Sequence, residues 1–210
     1  MENPWETLDL DIYESHMNLK NVAQIPLLNK IMKSQLSLDN IDFVAIWGVA
    51  GGNGLEYISC NDFKKVYCVD INIKYLDVIE KRYSYLNCLI LEKLDLNDIS
   101  LNLPEVNLVI ANLLLEYIGL NNFTSQIKKI KPKYVSCVIQ IDDNLNDKNN
   151  FVVDSIYSDS LKNISKLGVS IDKNDLISKM NEIEYKCILE EKYDLPSNKK
   201  FIRLDFSNLI

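Results

Sequence analysis

The sequence predicts an α/β protein, a three-layer sandwich on a mostly parallel seven-stranded sheet that ends in an antiparallel hairpin strand. Three observations predict it. From Phe43 to Ile141 short apolar runs alternate with helical patterns, the order of a parallel sheet covered on both faces. The first of these runs is continuously apolar and stops at a glycine. The chain then closes on two strand-like segments around Leu195-Pro-Ser-Asn198, a hairpin after five βα units.

Each element has its own signal. Phe43-Val-Ala-Ile-Trp47 is the first strand, followed by a Gly-rich turn and a helix beginning over Leu55 to Ser59. Lys65 to Val69 is the second strand, closed by Asp70. Tyr75, Leu76, Val78, Ile79 and Tyr83 recur at helical spacing. Cys88 to Leu91 is the third strand, Val106 to Ala111 the fourth and Tyr134 to Ile141 the fifth, with one or two helices expected from Leu113 to Ile130. Asp142 to Asn150 is the most polar stretch and reads as a surface loop. Helical patterns return at Val153 to Leu167 and Lys173 to Ile183. Tyr185 to Tyr193 and Lys200 to Phe206 make the hairpin. Residues 1–40 stand outside this pattern. With a helical stretch around Leu27 to Leu36, they are expected to form a cap over the carboxyl edge of the sheet, and residues 41–210 the main domain.

Composition narrows the function. The chain has 210 residues, 47% of them hydrophobic and 25% charged, which suits one domain with a real core. A net charge of -7, with lysine pairs scattered rather than gathered, argues against a nucleic-acid partner. No apolar run approaches the roughly 20 residues of a membrane span. The five cysteines include no CxxC pair and most lie in apolar runs. They are therefore expected to be reduced, without disulfide or zinc, and the polar, acidic start is not that of a signal peptide. A cytoplasmic protein is expected.

The chemistry gathers at strand ends. Four of the 6 glycines fall within the seven residues Gly48-Val-Ala50-Gly-Gly52-Asn-Gly54, so something approaches this backbone closely. The dinucleotide pattern G-x-G-x-x-G fails, since Ala50 and Asn53 fill its slots from Gly48, and no Gly-Lys-Ser/Thr follows for a phosphate loop. Asp70 closes the second strand 22 positions after Gly48, the spacing at which a carboxylate takes the hydroxyl protons of a ribose.

The arrangement Gly48-x-Ala50-x-Gly52-x-Gly54 resembles motif I of the class I S-adenosylmethionine-dependent methyltransferases, which have a Rossmann-like fold. The resemblance runs from Phe43 to Ile141 by motif and implies S-adenosyl-L-methionine as cofactor. It implies cofactor contacts at Gly48, Val49, Ala50, Gly52 and Asn53, at Asp70 for the ribose and at Ile71 against the adenine. Asp95 and Leu96 match the acidic position near the adenine amino group. Asn112 and Glu116 follow the fourth strand, where the family places cofactor and acceptor. Leu113 and Leu114 stand in the proline slots of the methyltransferases that act on bases or glutamine, which disfavours that group. Ile46 stands where motif I carries an acid, which leaves open a non-catalytic cofactor-binding or scaffolding protein. The resemblance implies methyl transfer to a small-molecule acceptor. His16, the one histidine, and Tyr13 are the candidate catalytic residues if the N-terminal segment closes over the sheet edge.

Overall fold

Burial on both faces turns the apolar runs into strands. The structure, a computed structural model, describes residues 3–142, 152–196 and 198–209. Its strands are β1 (Phe43–Trp47), β2 (Lys65–Asp70), β3 (Leu89–Lys93), β4 (Leu108–Asn112), β5 (Tyr134–Asp142), β6 (Lys186–Asp194) and β7 (Lys199–Ser207). They form one sheet in the order β3-β2-β1-β4-β5-β7-β6. Neighbours pair in parallel except β7, which runs antiparallel to both β5 and β6. This is the expected seven-stranded sheet with its antiparallel hairpin strand.

The helices are α1 (Leu10–Met17), α2 (Gln24–Gln35), α3 (Ile73–Arg82), α4 (Leu115–Ile130), α5 (Ser158–Leu167) and α6 (Lys173–Glu182). Successive residues of a strand point to opposite faces, and two cores result. Val44, Ile46, Leu108 and Ile110 pack with Met32 of α2 and with Leu76 and Ile79 of α3. Ala45, Trp47, Val109 and Ala111 pack with Phe123 and Ile127 of α4 and with Leu176 and Met180 of α6. A smaller cluster joins Leu8 to Leu161 and Ile164 of α5, with Trp5, Tyr13 and Tyr117 against it. No described helix is long and apolar enough to cross a membrane.

The structure corrects the sequence in three places. The helix expected over Leu55 to Ser59 is one 3-10 turn, Leu55–Tyr57, because Phe63 turns back at once through its N–H to the Ser59 carbonyl. α2, supplied by the N-terminal segment, lies in the core of that face instead, and the preceding α1 was not foreseen at all. The break of α4 at Gly119 (φ 73, ψ 158) agrees with the expected one or two helices in that span. The polar loop expected over Asp142 to Asn150 lies outside the described residues beyond Asp142.

The third correction concerns the cysteines. Cys60 and Cys88 are joined as a disulfide, their Cα atoms 5.4 Å apart across 28 residues of sequence. Spacing gave no sign of it; β2 and α3, folded between them, bring the two together. Cys68, Cys137 and Cys187 remain free. The denatured chain should therefore show three reactive thiols before reduction and all five after it. Reduction should lower the unfolding free energy by about 2–4 kcal/mol, the usual range for opening such a loop. Five thiols without reductant would refute the pairing.

Candidate active site

In an open α/β sheet the ligand crevice lies beyond the carboxyl ends of the strands, where the strand order reverses. Here that point falls between β1 and β4. The residues leaving these strands carry uncommon backbone conformations: Gly48 (φ 69) and Ala50 (φ 47) after β1, Leu113 (φ 55) after β4. For alanine and leucine such angles are strained, and strain of this kind collects at functional sites. A side chain at Gly48 would also press on Leu114, 3.2 Å away.

Asp70 holds the turn in place. Its Oδ2 accepts the Ala50 N–H at 2.9 Å and its Oδ1 accepts the Asn72 N–H at 2.9 Å. Burial raises its pKa and these backbone donors oppose the rise. Asn72 in turn caps α3 by accepting the Lys74 N–H, and its Nδ2 donates to the carbonyls of Trp5 (2.9 Å) and Leu8 (3.3 Å). One strand end thus ties together the glycine loop, the start of α3 and the N-terminal segment. A second tie is ionic. Arg82 donates to both carboxylate oxygens of Glu14 (2.5 and 2.8 Å) and to the Gly51 carbonyl (3.0 Å), which straps α1 to the loop.

Over this edge lies a cavity of about 440 Å³, within the usual range of about 300–1,000 Å³ for ligand sites. Gly48, Ala50, Asp70, Ile71, Asp95, Leu96 and Asn112 line it, and Trp5 and Tyr13 wall it from the N-terminal side. Two of its side chains hold buried polar atoms without a hydrogen-bond partner, Trp5 Nε1 and Tyr75 Oη. A buried donor left unpaired costs about 1–3 kcal/mol, so two on one cavity mark a place made for a polar ligand.

Two smaller cavities of about 60 Å³ flank it, and Tyr13 lines all three. One follows the glycine loop and is lined by Glu14, Ile46, Val49, Gly51 and Asn53. The other lies beside Leu113 and is lined by His16, Gln24, Glu116, Tyr117 and Gln140. The structure therefore separates the sequence candidates. Val49 and Asn53 face the loop-side cavity, and Glu116 lies away from the main cavity, beside His16. Gly52 lines none of these cavities. A Cβ there would meet the Tyr83 ring at 2.8 Å and Leu55 at 2.9 Å, so its smallness serves the packing of the loop on α3. Asn112 lines the main cavity, but its amide is paired reciprocally with Gln35 at 2.9 Å. Asp95 Oδ1 accepts the Asn97 N–H at 3.0 Å. Glu14, Tyr75, Arg82 and Tyr117 were not picked out, because their places at the site depend on how helices and the N-terminal segment pack rather than on a site motif.

Electrostatics sort the groups around Glu116. Its carboxyl is 2% exposed; Oε1 accepts the Gln140 N–H at 2.8 Å and Oε2 has no partner. Burial raises its pKa from 4.5 to about 7, opposed by backbone N–H donors including that of Gln140. Burial and the nearby Lys199 lower the His16 pKa, which keeps the imidazole neutral at pH 7, with Nδ1 2.9 Å from Ser155 Oγ. Tyr13 is held protonated, since burial and then Asp70 and Glu14 oppose a phenolate. Of the two catalytic candidates, the neutral His16 is open to proton acceptance, while Tyr13 keeps its proton and is limited to donating a hydrogen bond.

A stability profile follows. Between pH 4.5 and about 7 the folded chain keeps the Glu116 proton that the unfolded chain has released. Stability from this group is therefore lost as pH rises through that window, by about 3 kcal/mol in all. Tyr13, His16, Tyr117 and Cys137 surround the carboxyl, so the comparison with Glu116→Gln isolates its share. Urea unfolding should show Glu116→Gln gaining on the wild type by about that amount from pH 4.5 to 8. Parallel profiles would show an ordinary carboxyl.

No family model and no curated protein matches the chain. Solved structures match its fold. The N-methyltransferase NodS from Bradyrhizobium japonicum WM9, in complex with S-adenosyl-L-homocysteine, has a TM-score of 0.65 and 11% identity over 100% of both chains. A SAM-dependent methyltransferase from Leishmania major has a TM-score of 0.69 and 11% identity, covering 97% of this chain and 80% of its own. The geranyl diphosphate C-methyltransferase from Streptomyces coelicolor A3(2) has a TM-score of 0.67 and 9% identity, covering 89% of this chain and 81% of its own. All three are similar to this chain at the level of fold. The architecture is that of the class I S-adenosylmethionine-dependent methyltransferases, including the antiparallel seventh strand.

Proposed function

We propose that the chain is an S-adenosylmethionine-dependent methyltransferase acting on a small molecule, its cofactor held in the 440 Å³ cavity at the β1/β4 switch point. The observation that carries this is the meeting, in that one cavity, of the strained glycine loop, two strand-end carboxylates and two unpaired buried donors. These residues fit an adenosine-bearing ligand. Asp70 has lone pairs left for a ribose diol, Ile71 and Leu96 provide apolar walls for a base, and Asp95 stands at the base's polar edge. Trp5 Nε1 and Tyr75 Oη supply donors that await an acceptor.

The loop-side cavity suits the amino-acid end of the cofactor. Ile46 brings no charge there, but Glu14 does, and it enters from α1 rather than from β1. That placement supports the catalytic reading over a non-catalytic binder. Bound in this way, the cofactor would supply a methyl group already activated by positive sulfur, which passes to a nucleophile while the carbon–sulfur electrons stay on sulfur. The chain's own work is then to position, to exclude water and to hold a proton. The cap formed by Trp5, Tyr13 and the Glu14–Arg82 strap covers the site. His16 or Glu116 can take a proton from the acceptor. A small acceptor suits a cavity of about 60 Å³ on that side.

Calorimetry tests the reading. S-adenosylmethionine and S-adenosylhomocysteine should bind at about micromolar dissociation constants, and NAD should not. Asp70→Ala should weaken binding by about 1.5–3 kcal/mol, the range for hydrogen bonds to a charged group. NAD binding in preference, or full affinity in a folded Asp70→Ala variant, would overturn it.

A further inference from the structure

Resting on the assignment of the main cavity to the cofactor, we propose that the small cavity around Glu116 is the acceptor site and that its substrate class is a small amine. The recognition chemistry is on the wall. Among the described residues Glu116 is the one acidic side chain lining this cavity, and none of them that line it is a lysine or arginine. Its Oε2 is buried without a hydrogen-bond partner while Oε1 is fixed by the Gln140 N–H. An unpaired buried carboxylate oxygen calls for a donor or a cation.

The rest of the wall is aromatic. Trp5 packs edge-on against both Tyr13 (centroids 5.7 Å apart) and Tyr117 (4.9 Å), and all three rings line the cavity. Such rings attract an ammonium by their π faces. A carboxylate or phosphate acceptor would meet Glu116 with no lysine or arginine among the described lining residues, and only the neutral His16, to offset the repulsion. The space, about 60 Å³, takes an amine head of a few atoms and no nucleobase. Leu113 and Tyr117 line both this cavity and the main one, so the two sites adjoin.

Glu116 also solves the amine's protonation problem. An ammonium entering the cavity passes one N–H proton to Oε2, leaving a neutral carboxyl and an amine that keeps its lone pair. The raised pKa of Glu116, facing Tyr13, His16 and Tyr117 with Lys199 beyond His16, makes that transfer accessible near neutrality. The proton returns to water when the site empties and Glu116 ionises.

Ligand-observed NMR on the full chain, with and without S-adenosylhomocysteine, decides it, with ethylamine, ethanol and acetate as matched probes. Ethylamine should bind at about millimolar strength, the limit for so few atoms. It should bind at least about tenfold more tightly than ethanol, and acetate should not bind. Glu116→Gln, which keeps the shape and an acceptor for the Gln140 N–H, should weaken ethylamine by at least about tenfold and leave S-adenosylhomocysteine affinity unchanged. Ethanol or acetate binding as well as ethylamine, or unchanged ethylamine binding in the folded variant, would overturn the proposal. Loss of S-adenosylhomocysteine binding with ethylamine selectivity intact would refute the cofactor reading alone. If the variant does not fold, the selectivity of the wild type among the three probes still decides.

Discussion

The site depends on the carboxylate of Asp70. By accepting the N–H groups of Ala50 and Asn72, it fixes a strained loop and a helix start with one buried group. Asn72 then passes the constraint on, through the carbonyls of Trp5 and Leu8, to the segment that covers the cavity. A carboxylate can carry several donors where a neutral side chain could not, and charge-assisted bonds are the stronger kind. The desolvation that raises its pKa is offset by the same donors. The glycine loop, the start of α3 and the N-terminal segment are therefore held through one group.

Behind the sheet a second polar chain steadies the other lip of the crevice. Arg203, 2% exposed, pairs with Asp205 at 2.6 Å, and Asp205 accepts from Ser136. Ser136 accepts from Gln35, whose amide also holds Asn112 at the end of β4. A buried ion pair is a poor source of stability in itself. Here it links β7, β5, α2 and β4 in register, so the strand end beside the cavity cannot drift.

Much of the fold was legible because a parallel sheet demands it: strands covered on both faces must be apolar throughout, and Phe43–Trp47, Lys65–Asp70 and Leu108–Asn112 stand almost where those runs do. The glycine loop and Asp70 were legible for a local reason, since a tight turn and a strand-end acid are each written in a few adjacent residues. What escaped was long-range. α2 occupies the face where a helix after β1 was expected, and nothing near Leu55 announces that. The Cys60–Cys88 pair and the Glu14–Arg82 strap join segments with no local pattern. Glu116 could be picked out after β4, but its place apart from the main cavity, on one wall with His16, follows from the packing of the N-terminal segment and α5 there.

Amide hydrogen exchange with and without S-adenosylhomocysteine bears most directly on a cofactor site closed by the N-terminal cap. Ligand should slow exchange in residues 3–17, 48–54, 70–75 and 94–97, the segments tied through Asp70 or lining the main cavity. The β6–β7 hairpin should exchange as before. Unchanged exchange in the cap and the glycine loop, or protection confined to the hairpin, would contradict it.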